Sequence, residues 1–197
     1  MRSRIKCSIV GETMVGKTTL LKSYVTCKPP AIYSPTIYEN IKGFVVLGHK
    51  HHKVNLVDTA GQHEYSKLCT ASYCKSKVII LCYSVIDRQS FDRIKSFWIP
   101  EIRKNVGKSI PIVLTATHTD LRSDKSIQRC IQVVSSSEGK TLADSIGAKG
   151  FFEISKSDIS QTNDIFECAV RAVISKKKTL FTILKKIFCS TCKNKNE

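Results

Sequence analysis

Gly11-Glu12-Thr13-Met14-Val15-Gly16-Lys17-Thr18 decides the fold, because it matches the pattern G-x-x-x-x-G-K-[ST] between a strand-like run and a helix-like run. Gly16 would let the backbone curl so that consecutive N–H groups and the helix N-terminus face phosphate groups. We expect Lys17 to reach the β- and γ-phosphates and the Thr18 hydroxyl to ligate Mg²⁺. Taken alone, the pattern also fits a chance glycine turn before a helix. The predicted phosphate-binding residues are Gly11, Thr13, Met14, Val15, Gly16, Lys17, Thr18 and Thr19.

Two further segments favour a phosphate site over a chance turn. Asp58-Thr59-Ala60-Gly61-Gln62 follows a strand-like run, where Asp58 could hold Mg²⁺ through water and the Gly61 N–H could contact a γ-phosphate. Tyr33-Ser34-Pro35-Thr36 precedes another strand-like run, where Thr36 could add a second hydroxyl to the metal. The expected metal ligands are therefore Thr18, Thr36 and Asp58.

Apolar strand-like runs alternate with helical patterns, which predicts an α/β fold with a mostly parallel sheet covered on both faces. The predicted strands are 5–10, 44–47, 54–57, 78–83, 110–114 and 151–154. The predicted helices are 17–25, 90–105, 138–146 and 164–175, with Ser135 or Ser137 as the N-cap of the third. One antiparallel pair is expected where the turn 48–52 joins two strands. We expect a domain over residues 1–175 and a tail over residues 176–197.

The chain has 197 residues, of which 32 are Lys or Arg and 16 are Asp or Glu, a formal net charge of +16. That excess predicts an acidic neighbour, either nucleic acid or an anionic lipid surface. No base-stacking aromatic residues interrupt the basic run, so no specific nucleic acid is expected. No apolar run is long enough to cross a bilayer or to form a signal peptide, so we expect a cytoplasmic protein with nine reduced cysteines.

The three motifs, in this order and spacing, resemble those of the Ras superfamily of GTPases. Pro35-Thr36-Ile37-Tyr38-Glu39-Asn40, Ser90-Phe91-Asp92 and Trp98 most resemble the Rho family. The resemblance covers about residues 4 to 175. It implies the P-loop small-GTPase fold, with a six-stranded, mostly parallel sheet and helices on both faces. It also implies a monomer that binds GTP or GDP with Mg²⁺, hydrolyses GTP and acts as a switch in cytoskeleton-type signalling.

The resemblance also assigns roles to individual residues. Lys17, Thr36 and Gln62 would be catalytic, with Gln62 orienting the attacking water. Residues 33–40 and 60–73 would be the two switch segments, ordered by the γ-phosphate, where effectors and exchange factors bind. Tyr33 would join the nucleotide-binding residues.

Thr13 departs from the family, whose active members have glycine at this position. Its branched side chain would project toward the γ-phosphate and Gln62 and would exclude the arginine finger of a GTPase-activating protein. That arginine accelerates GTP hydrolysis by about 10³–10⁵-fold. We therefore expect slow hydrolysis that activating proteins barely stimulate. The alternative is a local backbone shift that accommodates the side chain.

The guanine-reading segments depart from the family as well. In Thr117-His118-Thr119-Asp120, Asp120 is retained and can accept the two guanine N–H groups, but His118 replaces a lysine whose stem lies along the base. In Ser155-Lys156-Ser157, Lys156 replaces an alanine that contributes mainly its backbone N–H. The nucleotide-binding set thus includes Thr117, His118, Asp120, Ser155 and Lys156.

Pro29 occupies the place of a phenylalanine that packs against the base, and its ring cannot give that contact. Losing several contacts of about 0.5–1.5 kcal/mol each predicts weaker nucleotide affinity and faster spontaneous exchange than in a typical family member. The alternative is a non-catalytic scaffold on the same fold that binds partners around residues 33–40.

The tail is a basic amphipathic segment, in which lysines alternate with Leu180, Phe181, Ile183, Leu184, Ile187 and Phe188. Residues 176–192 are therefore expected to bind the cytoplasmic face of an anionic membrane. The family's C-terminal prenylation signal is not found, so Cys189 or Cys192 is the expected site of palmitoylation. The alternative is an ordinary terminal helix docked on the domain or on a partner.

Overall fold

The computed structural model describes residues 4–28, 38–59, 71, 73–156 and 158–176, with only the backbone for residues 38 and 39. Its strands are β1 (Ile5–Gly11), β2 (Tyr38–Leu47), β3 (Lys50–Thr59), β4 (Val78–Ser84), β5 (Ile112–Thr117) and β6 (Phe151–Glu153). Its helices are α1 (Lys17–Thr26), α2 (Arg88–Arg93), α3 (Ile99–Asn105), α4 (Lys125–Cys130), α5 (Ser136–Ile146) and α6 (residues 162–176). A π-helical stretch, Ile94–Trp98, joins α2 to α3, and a 3₁₀ turn, Thr119–Ser123, follows β5.

The strands form one six-stranded sheet in the order β2-β3-β1-β4-β5-β6. Only β2 and β3 are antiparallel, with Leu47 opposite Lys50, and every other neighbouring pair is parallel. This confirms the predicted α/β fold. Because parallel strands end at one edge of the sheet, the loops that follow β1, β3, β4, β5 and β6 all lie at that edge.

Strand β4 shows why both faces of the sheet must be covered. Its seven residues are all buried. Val78, Ile80 and Cys82 belong to one core, which α1 and α6 cover. The intervening residues, such as Ile79 and Leu81, belong to a second core under the helical run from α2 to α3 and under α5. This alternation follows from the period of two along a strand.

The predicted boundaries differ from the structure at several points. The turn predicted over residues 48–52 is only Gly48-His49, because Lys50 and the two histidines after it pair with β2. Strand β5 begins and ends later than predicted, at Ile112 and Thr117. Helix α5 begins at Ser136, and its N-cap is Ser135, with a reciprocal capping box to Glu138. Helix α4 was not predicted.

The helical run from residue 88 to residue 105 changes pitch just before Pro100. Proline has no N–H to donate to the preceding turn, and at this point the Ile99 N–H bonds to Ile94 O in the π-helical pattern. Ile94 and Trp98 are buried on the sheet side of this stretch. The run begins at Arg88, two residues before the prediction, where Asp87 caps the Ser90 N–H.

The described cysteines are free thiols. Cys7 and Cys82 are fully buried, and burial raises the pKa of each thiol to about 12. They are therefore inert core residues, as the sequence predicts. Within the described ranges, no helix is both long and apolar enough to cross a membrane.

Replacing Gly139 by alanine is expected to destabilise the domain by about 1–3 kcal/mol. The new methyl group would collide with Tyr83 Oη and would lie 2.5 Å from Phe151 Cζ, and both rings pack in the second core. The urea midpoint should fall while the slope of the unfolding free energy against urea stays unchanged. Gly43→Ala is the control, because a Cβ atom there meets nothing within 4 Å. Equal midpoints for Gly139→Ala and the wild type would contradict this packing argument.

Candidate functional site

The loop between β1 and α1 has the backbone of a phosphate cradle. Gly11, Met14 and Gly16 have φ values of 145°, 61° and 80°, and Gly16 is the N-cap of α1. A side chain at Gly11 would collide with the carbonyl oxygen of Cys82 on β4. The loop therefore needs glycine at residue 11 because the β4 backbone is so close. It favours glycine at residue 16 because the backbone there is left-handed. It leads straight into the N-terminus of α1, where N–H groups without helical partners attract anions.

Lys17 and Asp58 place opposite charges at the mouth of this loop. The Lys17 side chain is 6% exposed, and its Nζ donates to Glu12 O at 2.6 Å. Asp58, at the end of β3, is fully buried, and its Oδ2 accepts from Thr18 Oγ1 at 2.5 Å. The cation is therefore held against the loop, as phosphate binding requires, and a carboxylate lies beside the first hydroxyl of α1.

The Thr18 hydroxyl and the Asp58 carboxylate fit Mg²⁺, because this ion prefers hard oxygen ligands and uses few of them from the protein. The third expected ligand, Thr36, lies outside the described residues, as do Tyr33, Gly61 and Gln62. The described part of the chain holds no group of three or more His, Cys, Asp or Glu side chains suited to a metal. The predicted set differs from such a group because two of its members are hydroxyls.

Glu12 anchors the phosphate loop to the helical run, a contact that the sequence analysis did not predict. Its Oε1 accepts from Arg93 Nε at 2.6 Å and from Trp98 Nε1 at 2.9 Å. Arg93 also lies over the Phe97 ring, 4.6 Å from its centroid. The partners are more than 80 residues apart in the sequence, so only the fold brings them together. These contacts fix the loop from the side of the second core.

Thr117 anchors the same loop from the other side. Its Oγ1 lies 2.8 Å from Val15 O and 3.1 Å from Tyr83 O, and it can donate to one of them at a time. Thr117 is buried at the end of β5, directly before His118. The segment predicted to read the base is thereby tied to the loop predicted to bind phosphate.

His118 turns its ring inward. Its Nδ1 lies 2.9 Å from Ser84 Oγ, and its Cε1 would lie 3.6 Å from a Cβ atom at Gly16. Its backbone is left-handed, with φ 58°, and it caps the 3₁₀ turn that carries Asp120. Burial lowers the pKa of the imidazole, against a smaller opposing effect of Asp120. A neutral ring thus stands where the family has a charged lysine.

A pocket opens between α1 and the loop after β6, and His118 is one of the residues that line it. Gly16, Thr19, Thr117, Ser155 and Lys156, all predicted nucleotide ligands, line it. Ser155 is buried and its Oγ accepts from the Asp158 N–H at 2.8 Å, whereas Lys156 is exposed. Asp120 is exposed in the 3₁₀ turn and does not line this pocket.

Two hydroxyls in the depth of the pocket were missed by the sequence analysis. Ser23 Oγ and Thr162 Oγ1 are buried, with no hydrogen-bond partner among the described residues. Nothing in the local sequence marks them, because α1 and α6 approach each other only in the folded domain. Outside the pocket, Arg122 Nη2 bonds to Glu153 Oε1 at 2.5 Å and ties the 3₁₀ turn after β5 to the end of β6.

Comparison with known proteins identifies the family. The profile of the Ras family matches residues 6–175. The chain belongs to the Ras family. Within it, the chain is 37% identical to the Rho-related GTP-binding protein RhoH of Mus musculus, over 93% of this chain and 97% of that protein.

Two further relatives agree with a Rho-like small GTPase. RhoH of Bos taurus is 36% identical, over 90% of this chain and 92% of its own length. The Ras-like GTP-binding protein RhoL of Drosophila melanogaster is 38% identical, over 89% of this chain and 90% of its own length. The resemblance to a Rho-like small GTPase, read from the motifs, is thus confirmed.

Acidification should destabilise this small GTPase partly through His118. Because the folded state lowers the pKa of the ring, the unfolded chain binds a proton that the folded chain does not. The contribution of the neutral ring is therefore complete above about pH 6.5 and is lost progressively as the pH falls from there through the lowered pKa of the folded state. His118→Gln should lose less stability than the wild type between about pH 7 and about pH 5, measured as urea midpoints at equal nucleotide concentration. Parallel losses in the two proteins would contradict the assignment.

Proposed function

We propose that this Rho-like small GTPase is a guanine-nucleotide switch that is biased toward its GTP-bound form. Slow hydrolysis and fast spontaneous exchange would both produce this bias. The observation that carries the proposal is Thr13, which stands in the phosphate loop directly beside the anchored Glu12. Mg²⁺, held by the Thr18 hydroxyl and Asp58, would supply neutralisation of the charge on the phosphates.

Several groups of the chain contribute to phosphate binding in different ways. Lys17 is preorganised, because its contact with Glu12 O holds the ammonium group inside the loop before any ligand arrives. The N–H groups at the start of α1 add a fixed dipole. These groups stabilise negative charge on the γ-phosphate, and Gln62 would orient the attacking water by family resemblance.

Thr13 itself fits the loop without distortion. It is exposed, and its φ does not fall in the left-handed region, so its β-branched side chain is tolerated. The loop cannot easily move to make room around it, since Glu12 is fixed by Arg93 and Trp98, and Val15 by Thr117. Thr13 therefore occupies space that an arginine finger would need. This supports slow, poorly stimulated hydrolysis over the alternative of a local backbone shift.

Thr13→Gly is the direct test of this argument. Because the substitution clears the space beside the γ-phosphate, a Rho-family GTPase-activating protein should accelerate single-turnover GTP hydrolysis by about 10³-fold or more. The same protein should accelerate the wild type by less than about tenfold. Thr13→Ser is the matched control. It removes the methyl branch but keeps a hydroxyl side chain in the same space, so its stimulation by the activating protein should increase much less than that of Thr13→Gly. Strong stimulation of the wild type would refute the role given to Thr13.

Fast exchange is supported by His118. The half-buried ring packs against Gly16 and Ser84 at the side of the pocket, and it does not offer the long charged stem that a lysine lays along the base. Lys156 is exposed, and Pro29 lies outside the described residues. The base is then held mainly by the retained groups, and its affinity falls.

His118→Lys should slow the release of a mant-labelled guanine nucleotide. Restoring one contact of about 0.5–1.5 kcal/mol predicts a two- to tenfold longer half-life in the presence of Mg²⁺. His118→Gln is the control, because it removes the ring without adding a charged stem. A wild-type half-life of hours, or no effect of the lysine, would contradict the proposal.

A nucleotide-poor scaffold on the same fold is the second candidate. The inward ring of His118 and the exposed Lys156 favour it, since both weaken recognition of the base. Chromatography of the nucleotide released on denaturing the purified protein separates the two functions. Retained GTP supports the switch, whereas the absence of guanine nucleotide supports the scaffold.

The partner sites are proposed from family resemblance. Effectors and exchange factors would bind residues 33–40 and 60–73, and residues 176–192 would bind an anionic membrane, with Cys189 or Cys192 palmitoylated. Apart from residues 38–40, 71, 73 and 176, these positions lie outside the described residues. Basic and apolar side chains alternating along the tail support this, because stable membrane anchoring takes two signals. Signalling of the cytoskeletal type is likewise proposed on the resemblance to Rho proteins.

A further inference from the structure

The edge of the sheet opposite the nucleotide-binding pocket is strongly basic. Five parallel strands begin there, and six lysines lie on or just before those strands. We call this surface the basic edge and define it as Lys6, Lys53, Lys75, Lys77, Lys108 and Lys149. Five of the six are exposed, and Lys6 is half-buried.

Backbone contacts show that these lysines belong to one surface although they are far apart in the sequence. The Lys77 N–H bonds to Lys6 O at 2.8 Å, and Ile5 pairs with Val54, the residue after Lys53. On the other side of β4, the Lys149 N–H bonds to Ile112 O at 2.7 Å. The basic edge therefore runs across the sheet from β3 to β6.

The charge of the basic edge is uncompensated. None of its six lysines forms an ion pair with a residue that the structure describes. Burial is the main cause that lowers the pKa of Lys6; Cys74 opposes it, and repulsion from the charge of Lys75 lowers the pKa by a smaller amount. An anionic surface would relieve this repulsion.

Acidic residues lie mostly at the other end of the domain. Asp58 ends β3, Asp87 follows β4, Asp120 follows β5, and Glu153 ends β6. Four described cations at that end are held in contacts: Lys17 in the phosphate loop, and Arg88, Arg93 and Arg122 in ion pairs. Exposed cations such as Lys125 and Lys156 lie there too, but acidic side chains accompany them, whereas the six lysines of the basic edge have no ion pair with a described residue.

The β2–β3 hairpin adds apolar surface beside the basic edge. Its turn, Gly48-His49, extends beyond the start of β1, because β1 pairs with β3 only from Val54 onward. Phe44 and Val46 are 53% and 44% exposed, and they lie opposite Lys53 and His51 of the hairpin. A basic surface with exposed apolar side chains at its margin is typical of contact with a lipid interface.

The tail leaves the domain at this same edge. Lys176, at the end of α6, donates through Nζ to Ser109 O at 2.6 Å, next to Lys108. The basic amphipathic residues that follow in the sequence therefore start beside the basic edge. An anionic surface that holds the tail is within reach of the domain.

We propose that the basic edge is a docking surface for an anionic lipid bilayer, on which the domain lies with its nucleotide-binding edge turned away from the membrane. The tail and the domain then bind one surface together, which strengthens both contacts. The proposal rests in part on the proposed membrane association of the tail. A lipid surface is favoured over a nucleic acid because the sequence after Lys176 combines lysines with Leu180, Ile183, Leu184 and Ile187, an amphipathic pattern that fits a bilayer interface.

Charge reversal in the full-length protein tests this surface. The edge variant carries Lys77→Glu, Lys108→Glu and Lys149→Glu, all at exposed positions. A matched control carries Lys125→Glu, Arg129→Glu and Lys140→Glu, which are also exposed but lie on α4 and α5, away from the basic edge. A tail variant carries Lys177→Gln, Lys178→Gln, Lys185→Gln and Lys186→Gln. Binding of mant-GDP and the urea midpoint verify that each variant is folded and retains its nucleotide site.

Flotation with vesicles of phosphatidylcholine and phosphatidylserine, in about a two-to-one ratio, measures docking, with pure phosphatidylcholine as the blank. The edge variant should bind at least about tenfold more weakly than the wild type, and the control within about twofold of it. Equal losses in edge and control variants, or wild-type binding by the edge variant, would overturn the proposal. If only the tail variant loses binding, the tail is the membrane site and the basic edge is not. If the edge variant instead loses affinity for an RNA oligonucleotide and keeps its vesicle binding, the partner is a nucleic acid.

Discussion

The close approach of β1 to β4 at Gly11 is the constraint on which the site depends. Because a Cβ atom there would collide with Cys82 O, β1 must end in glycine, and the chain must turn away from the sheet at that point. The turn starts the phosphate loop, and Gly16 completes it with a left-handed backbone before α1. The anion-binding N-terminus of α1 is thus set by how two neighbouring strands pack, before any ligand is considered.

The two ends of the parallel strands carry different kinds of surface. The loops after the parallel strands gather buried or paired charges such as Lys17 and Asp58, which is what a site for a polyanionic nucleotide needs. The starts of the same strands carry lysines that form no ion pair with a described residue. A single topological feature, the common direction of five strands, therefore determines the positions of both the phosphate site and the basic edge.

The fold could be predicted from the sequence because its signals are local. The alternation of residues in β4 and the glycine pattern of residues 11–18 need no knowledge of distant contacts. The predicted boundaries of strands and helices are less accurate where pairing with a distant strand overrides the local composition. The turn is predicted over residues 48–52, yet His51 and His52 join β3 because they pair with Val46 and Val45 of β2.

The parts of the site that escaped prediction are those made by long-range packing. Glu12 reads as a variable position in the loop pattern, and only the structure shows it bound to Arg93 and Trp98. Ser23 and Thr162 face each other's helices across a pocket that no local pattern marks. The inward turn of His118 also depends on Ser84, from a different strand.

Thr13 and His118 both differ from the residues typical of the family, and each follows a residue that fixes the phosphate loop by a different contact. Thr13 follows Glu12, which is fixed to the helical run, whereas His118 follows Thr117, which is fixed to Val15 and belongs to β5. Neither anchor shares a contact with the other, so changes at the two positions should combine nearly independently. On the proposed function, Thr13 would hinder the conversion of bound GTP, and His118 would weaken the hold on the base. Such a domain would hydrolyse GTP slowly and exchange nucleotide quickly while it keeps the groups that bind phosphate. That combination favours a switch that is bound to GTP most of the time.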